Sequence, residues 1–170
     1  MNSRERRFEI EKILVESKNP IKGHELASNF EVTRQVIVKD IAILRAEGKS
    51  IIATPEGYMI STDKNNTIEK IIAISHGSND IENELKIIVK FGGIIKDVIV
   101  EHSVYGEIKA NLMIKSYFDI ENFVNKLQNE KAKPLLTLTK GIHLHTIAAE
   151  KEESLVKIVD ELDKAGFLIK

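Results

Sequence analysis

The residues of this chain best suited to chemistry are histidines. Near its far end stands Gly141-Ile142-His143-Leu144-His145-Thr146, two imidazoles flanking one leucine. In a β-strand alternate side chains share a face, so His143 and His145 point one way and Leu144 the other. Two imidazoles so placed could converge on one ion; they could equally be two surface histidines on an edge strand. Upstream, His76 closes a strand-like run and Glu84 lies on the helix that follows. Glu84 falls about 60° round the helix from Ile81, at the border of the apolar stripe, which predicts a carboxylate neither freely solvated nor fully buried. His76, Glu84, His143 and His145 together make three imidazoles and one carboxylate. That donor set suits a borderline divalent cation such as nickel, zinc, cobalt or iron better than calcium or magnesium. The alternative is that His76 merely ends its strand, Glu84 pairs with Lys86 or Lys90, and the histidine pair faces water.

Composition narrows the options. The chain has no cysteine, which removes disulfides, thiolate ligands and a cysteine nucleophile, so any metal must be held by His, Asp, Glu or water. Its 170 residues, 42% hydrophobic and 30% charged, suffice for one medium domain or two small ones. No apolar run reaches the roughly 18 residues a membrane span needs, and Met1-Asn2-Ser3-Arg4-Glu5-Arg6-Arg7 leads straight into an amphipathic pattern. The expectation is a cytoplasmic protein with no membrane partner. The net charge of -1 does not announce nucleic acid, but all five arginines lie within the first 45 residues. Arginine's planar fork suits phosphates and guanine edges in a way lysine's point charge does not.

Elements must position these groups. Phe8, Ile10, Ile13, Leu14 and Val15 predict a helix over 4–18, stopped by Asn19-Pro20. A short helix around Leu26 and Ala27 follows, then one over 34–47 with Thr33 as N-cap, Ile37, Ile41 and Leu44 inward, and Gly48 closing it. Two β-prone runs around Pro55-Glu56-Gly57 predict a hairpin. This order of helix, short helix, Thr-Arg-Gln helix and Pro-Glu-Gly-Tyr hairpin resembles the biotin-repressor-like winged helix-turn-helix family over residues 4 to 60. The polar stretch 61–66 marks a linker between a DNA-binding domain at 1–62 and a second domain at 67–170. In the second domain the expected elements are a strand over 68–75 and a helix opened by an Asn79–Glu82 capping box, with Ile81, Leu85, Ile88 and Val89 inward. Strands over 94–101 and 107–115 and a helix capped by Asp119 come next. A hairpin of 135–139 with 142–148 around Lys140-Gly141 then precedes a last helix over 150–164, with Leu155, Val156, Val159 and Leu162 inward. The fold class is α+β: a winged helix-turn-helix, then helices packed on a largely antiparallel sheet.

Behind the winged helix, the segments Ile74-Ser75-His76, Val98-Ile99-Val100-Glu101-His102-Ser103-Val104-Tyr105-Gly106 and Gly141-Ile142-His143-Leu144-His145-Thr146 resemble, in this order, the three-histidine domain of niacin-responsive transcriptional repressors. The resemblance spans essentially the whole chain. It implies a homodimeric repressor of NAD biosynthesis or niacin-uptake genes that takes nicotinic acid as corepressor beside one divalent metal, nickel or zinc. It also implies His76, Glu84, His143 and His145 as the ligands. One departure is Ser103 where the His-Pro-Val-Tyr-Gly signature has proline. His102, Tyr105 and Gly106 are expected to line the corepressor pocket; the competing view is a tight turn holding a satisfied histidine.

On the second helix of the helix-turn-helix, Arg34, Gln35, Val38 and Lys39 lie away from the inner stripe and, with Thr33, are the major-groove candidates for operator DNA. Arg4, Arg6 and Arg7 could add phosphate contacts. The same polar face would also serve a winged-helix module that only dimerises. No second carboxylate or serine motif stands where a base or nucleophile would be needed, so no catalytic residue is assigned. A small metal-dependent hydrolase fused to a winged helix is the alternative to a repressor.

Overall fold

The computed structural model describes residues 1–61 and 66–170. The chain forms two compact units, Met1–Asn65 and Asn66–Lys170. The expected linker at 61–66 lies largely outside the described residues.

In the first unit, α1 (Ser3–Glu16), α2 (Gly23–Asn29) and α3 (Arg34–Ala46) are followed by the hairpin of β1 (Ile51–Thr54) and β2 (Gly57–Ile60). Asn2 and Glu5 form a capping box at α1, and the Thr33 hydroxyl accepts from the Val36 N–H at α3. Ile10, Leu14, Leu26, Ile37, Ile41 and Leu44 make the core, joined by Ile51 from the hairpin. Phe8 and Val15, from the same apolar run, are exposed, because Ile10 and Leu14 already fill the single buried stripe of α1. The wing is tied back by paired backbone bonds between Ile21 and Tyr58, each 2.9 Å. Gly57 cannot carry a side chain there, since a Cβ would lie 2.3 Å from the Ile21 carbonyl oxygen.

In the second unit, β3 (Ile68–Ser75), β4 (Ile94–His102), β5 (Gly106–Ile114) and β6 (Ile142–Ala149) form one antiparallel sheet in the order β3-β6-β4-β5. Three helices accompany it: α4 (Ile81–Lys90), α5 (Tyr117–Asn129) and α6 (Glu152–Lys164). Their apolar stripes and the sheet share one core that includes Ile74, Leu85, Ile88, Ile95, Ile147 and Ile158. The α+β class is as expected, with four local corrections. Residues Leu135–Thr139 form a 3-10 helix, not a strand. β6 is already paired on both sides, by β3 and β4, so no edge remains for a hairpin partner. A 3-10 turn at Ser78–Asp80 leads into α4, whose N-cap is Asp80 without a side-chain bond, replacing the Asn79–Glu82 box. At α5 the cap is Ser116, with Asp119 as the reciprocal partner three residues on. On α6 Leu155 and Leu162 are buried as expected, but Ile158 takes the place of Val156, which is exposed.

Candidate metal centre

Three elements bring the histidines and the glutamate together. His143 and His145 lie on the central strand β6 with their side chains on the helix-bearing face, directly across from Ile74 and Ile72 of β3. His76 immediately follows β3, and Glu84 projects from the first turn of α4. Glu84 is 1% exposed, so it is fully buried and not at a solvated border. That border is exposed only on an isolated α4, whereas His143 and His145 of β6 cover that side of it. The Glu84 Oε2 atom lies 2.6 Å from His76 Nε2 and 3.5 Å from His143 Nε2, and Oε1 lies 2.8 Å from His145 Nε2. Ligand atoms of His76, Glu84 and His143 all fall within 4.8 Å of one another. Neither Lys86 nor Lys90 competes; Lys86 pairs with Glu82.

The other ring nitrogens decide what this cluster can do. His76 Nδ1 faces the Gly77 carbonyl at 2.8 Å, His143 Nδ1 the Gly141 carbonyl at 2.8 Å, and His145 Nδ1 the Asp97 carbonyl at 2.6 Å. A carbonyl oxygen only accepts, so each Nδ1 must carry the proton. In each neutral ring the lone pair is then on Nε2, and all three Nε2 atoms converge on a buried carboxylate. Oε1 of Glu84, although buried and 2.8 Å from His145 Nε2, makes no well-angled hydrogen bond. Acceptors gathered in this way require positive charge among them, either protons or a metal ion. Burial alone would push the Glu84 carboxyl up; His145, with His143 and His76 beside it, outweighs that and holds it well below the usual carboxylate range. Burial likewise opposes charge on His76 and His145, but Glu84 prevails and raises both. The donor set therefore fits a divalent ion held by three imidazoles and one carboxylate, with the Nδ1–carbonyl bonds aiming each ring.

Gly141 sets the approach of two ligands. It has φ +98°, and a Cβ there would lie 2.5 Å from the His76 carbonyl oxygen. Its own carbonyl accepts from both the His76 backbone N–H and His143 Nδ1. Asp97 supports His145 from behind: its carbonyl holds the ring, and its carboxylate accepts the Thr146 N–H at 2.8 Å. Sequence reasoning missed Asp97, though an acid inside the aliphatic run 94–100 was a signal for it.

A cavity of about 160 Å³ opens beside the cluster, with Glu84, His143 and His145 on its wall and Val98, Leu112 and Phe123 among its apolar lining. The structure does not bring His102, Tyr105 and Gly106 to it. They form the tip of the β4–β5 hairpin, where Tyr105 is 75% exposed and His102 Nδ1 accepts the N–H groups of Val104 and Tyr105. That is the tight turn with a satisfied histidine. In the first unit, Thr33, Arg34, Gln35 and Lys39 are exposed and Val38 half-buried at the start of α3. Arg6 and Arg7 are committed elsewhere, to the buried Asp40 at 2.6 and 3.7 Å, so they are not free phosphate contacts.

Comparison with known proteins is decisive. A family described as the 3H domain matches residues 69–170, and an HTH domain family matches residues 6–59. The chain is 47% identical over 165 residues to the "Probable transcription repressor NiaR" of Thermotoga maritima, covering 97% of this chain and 94% of that protein. It is 41% identical over 160 residues to the "Transcription repressor NadR" of Bacillus subtilis, covering 92% and 89%. The chain belongs to the NiaR/NadR family of transcription repressors. The relatives of this NiaR/NadR-family repressor are not enzymes, which sets aside the metallohydrolase alternative. Its first unit is the DNA-binding HTH domain and its second the 3H domain. Among the described residues no helix is long and apolar enough to cross a membrane.

Proposed function

We propose that this repressor senses nicotinic acid through a divalent metal, nickel or zinc, held by His76, Glu84, His143 and His145, and that effector in the adjoining cavity strengthens operator binding by a homodimer. The observation that carries the reading is the convergence of three imidazole Nε2 atoms on one buried carboxylate at the wall of an apolar cavity. The cavity's size supports a ligand of one ring, since an engineered cavity of about 150 Å³ accommodates benzene. When bound, the metal supplies a Lewis-acid anchor for the effector. Glu84 offsets part of its charge, and the three Nδ1–carbonyl bonds keep the imidazoles turned toward it.

At the DNA end, Arg34 suits a guanine edge or a phosphate, Gln35 an adenine, and Lys39 a phosphate, with Thr33 and Val38 beside them. A single winged helix offers a small footprint, which is why a two-fold operator and a dimer belong to the reading. Effector shifts the equilibrium only by its differential affinity for the DNA-competent state, and coupled systems of this kind gain about 5- to 150-fold. Titration of the metal-loaded full chain with operator DNA, with and without nicotinic acid, is expected to show tightening in that range. Equal affinity in the two conditions would sink the proposal.

A further inference from the structure

The cavity has a second polar feature that the metal cluster does not use. Among the described residues on its wall, Lys133 is the single lysine or arginine. Its side chain makes no ion pair or hydrogen bond there. Burial separates the two features: Glu84, His143 and His145 are 1 to 3% exposed, whereas Lys133 is exposed. The ligand cluster is therefore at the interior of the cavity and the lysine at its solvent side.

The backbone holds Lys133 ready. It precedes Pro134, and a residue before proline is restricted to extended conformations. Pro134 itself has φ -58° and ψ 147°, and its carbonyl accepts both the N–H and the hydroxyl of Thr137 at 3.0 and 2.7 Å. The buried Leu136 seats the same short segment in the core. The main chain beneath the lysine is thus fixed, while the ammonium is left without a partner.

We propose that Lys133 is the specificity residue of the cavity, its ammonium pairing with the carboxylate of a monocyclic aromatic acid whose ring nitrogen faces the metal cluster. This rests on the effector reading above and deepens it by assigning an orientation. A carboxylate placed between Val98, Leu112 and Phe123 loses its hydration, which is tolerable only where a cation replaces it. An aromatic nitrogen loses less on leaving water and is itself a ligand for a borderline metal ion. Placing the carboxylate at the solvent side and the nitrogen inside satisfies both. The neutral amide of the same ring gains no ion pair from Lys133, so the acid is preferred. In the reversed orientation the carboxylate meets the metal, and Lys133 has no bearing on the choice between acid and amide.

The test is calorimetric titration of metal-loaded full-length wild type, Lys133→Met and Lys133→Arg with nicotinic acid and with nicotinamide. Wild type is expected to prefer the acid. Lys133→Met should weaken the acid by about 10- to 100-fold and leave the amide within about twofold, while Lys133→Arg retains most of the preference. An unchanged acid-to-amide ratio in Lys133→Met, an equal loss of both ligands, or a wild type without preference overturns the assignment to Lys133 and leaves the effector reading standing. Binding of neither pyridine to wild type overturns the effector reading and Lys133 with it. Metal content and melting temperature of Lys133→Met, expected to match wild type because the residue is exposed, show that the variant is folded and loaded.

Discussion

The first unit buries the carboxylate of Asp40 and the second, besides Asp97, that of Glu84, and Asp40 and Glu84 are treated in opposite ways. Asp40 on α3 is 2% exposed and meets Arg6 at 2.6 Å, with Arg7 at 3.7 Å, both from α1. Arginine is charged at every accessible pH, so that pair is electrostatically complete and simply fixes α1 against the recognition helix. Glu84 on α4 is equally buried but is surrounded by three imidazoles, whose charge depends on what the medium supplies. One carboxylate is a permanent rivet, the other a socket. In the proposed function, the difference separates the unit that holds its shape from the unit that responds.

That contrast can be broken most severely at β6. Replacing His143 and His145 together by alanine is expected to abolish metal binding and the effector response while leaving the DNA-binding unit folded. Metal analysis of the purified variant, with circular dichroism, reads both; stoichiometric metal in the double variant would refute imidazole ligation. Next in size is Asp40→Ala, which leaves the half-buried Arg6 without its partner and should destabilise the first unit by about 1–3 kcal/mol in denaturant unfolding. Metal content should not change. The joint replacement of Asp40 and Arg6 by leucine and methionine is expected to recover most of that loss, since a completed pair is worth little more than apolar packing.

A comparable effect is expected at Gly141. Alanine there combines a strained φ with a contact to the His76 carbonyl, costing about 1–3 kcal/mol and shifting His76 or His143, with metal affinity reduced on the order of tenfold. Unchanged affinity and stability would show that the approach of residue 141 to His76 is not needed. The mildest probe is pH. In the metal-free protein His76 and His145 are raised above 6.5 and Glu84 is lowered below 4.5. The histidine contribution is complete below 6.5 and is lost as pH rises through the raised folded values; the glutamate contribution is complete above 4.5 and is lost as pH falls through the lowered one. Metal-free protein should therefore be most stable between pH 4.5 and 6.5. Metal-loaded protein should show the reverse slope above pH 4.5, because protons displace the ion from imidazole. Melting curves of the two forms with parallel slopes would erase the distinction between the two carboxylates.

Much of this was legible before the fold was known, and the failures have a common cause. Helical periodicity and capping signals located the six α-helices of the described residues, though neither 3-10 helix, and strand alternation placed His143 and His145 on one face, because these signals are local. Glu84 was read as half-solvated because the covering strand β6 lies far along the chain. Residues 135–139 have strand composition, yet both edges of β6 were taken by β3 and β4, a fact of topology that composition does not carry. The apolar, exposed Val156 and Phe8 show the same limit: a stripe of adjacent hydrophobic residues does not say which ones the neighbouring layer will reach. Lys133 left no signal at all, since a lysine before a proline reads as loop. Its interest comes only from the cavity it borders.

The sheet order β3-β6-β4-β5 also bears on how the second unit comes into being. The strand that joins β3 to the rest of the sheet is β6, which among the described strands is synthesised last. Until it inserts, His76 just after β3 and Glu84 on α4 have no β6 beside them, and His143 and His145 have not been delivered. Such long-range closure is characteristically slow. A nascent or truncated chain can therefore present a finished DNA-binding unit while the cluster of Glu84 with His76, His143 and His145 does not yet exist.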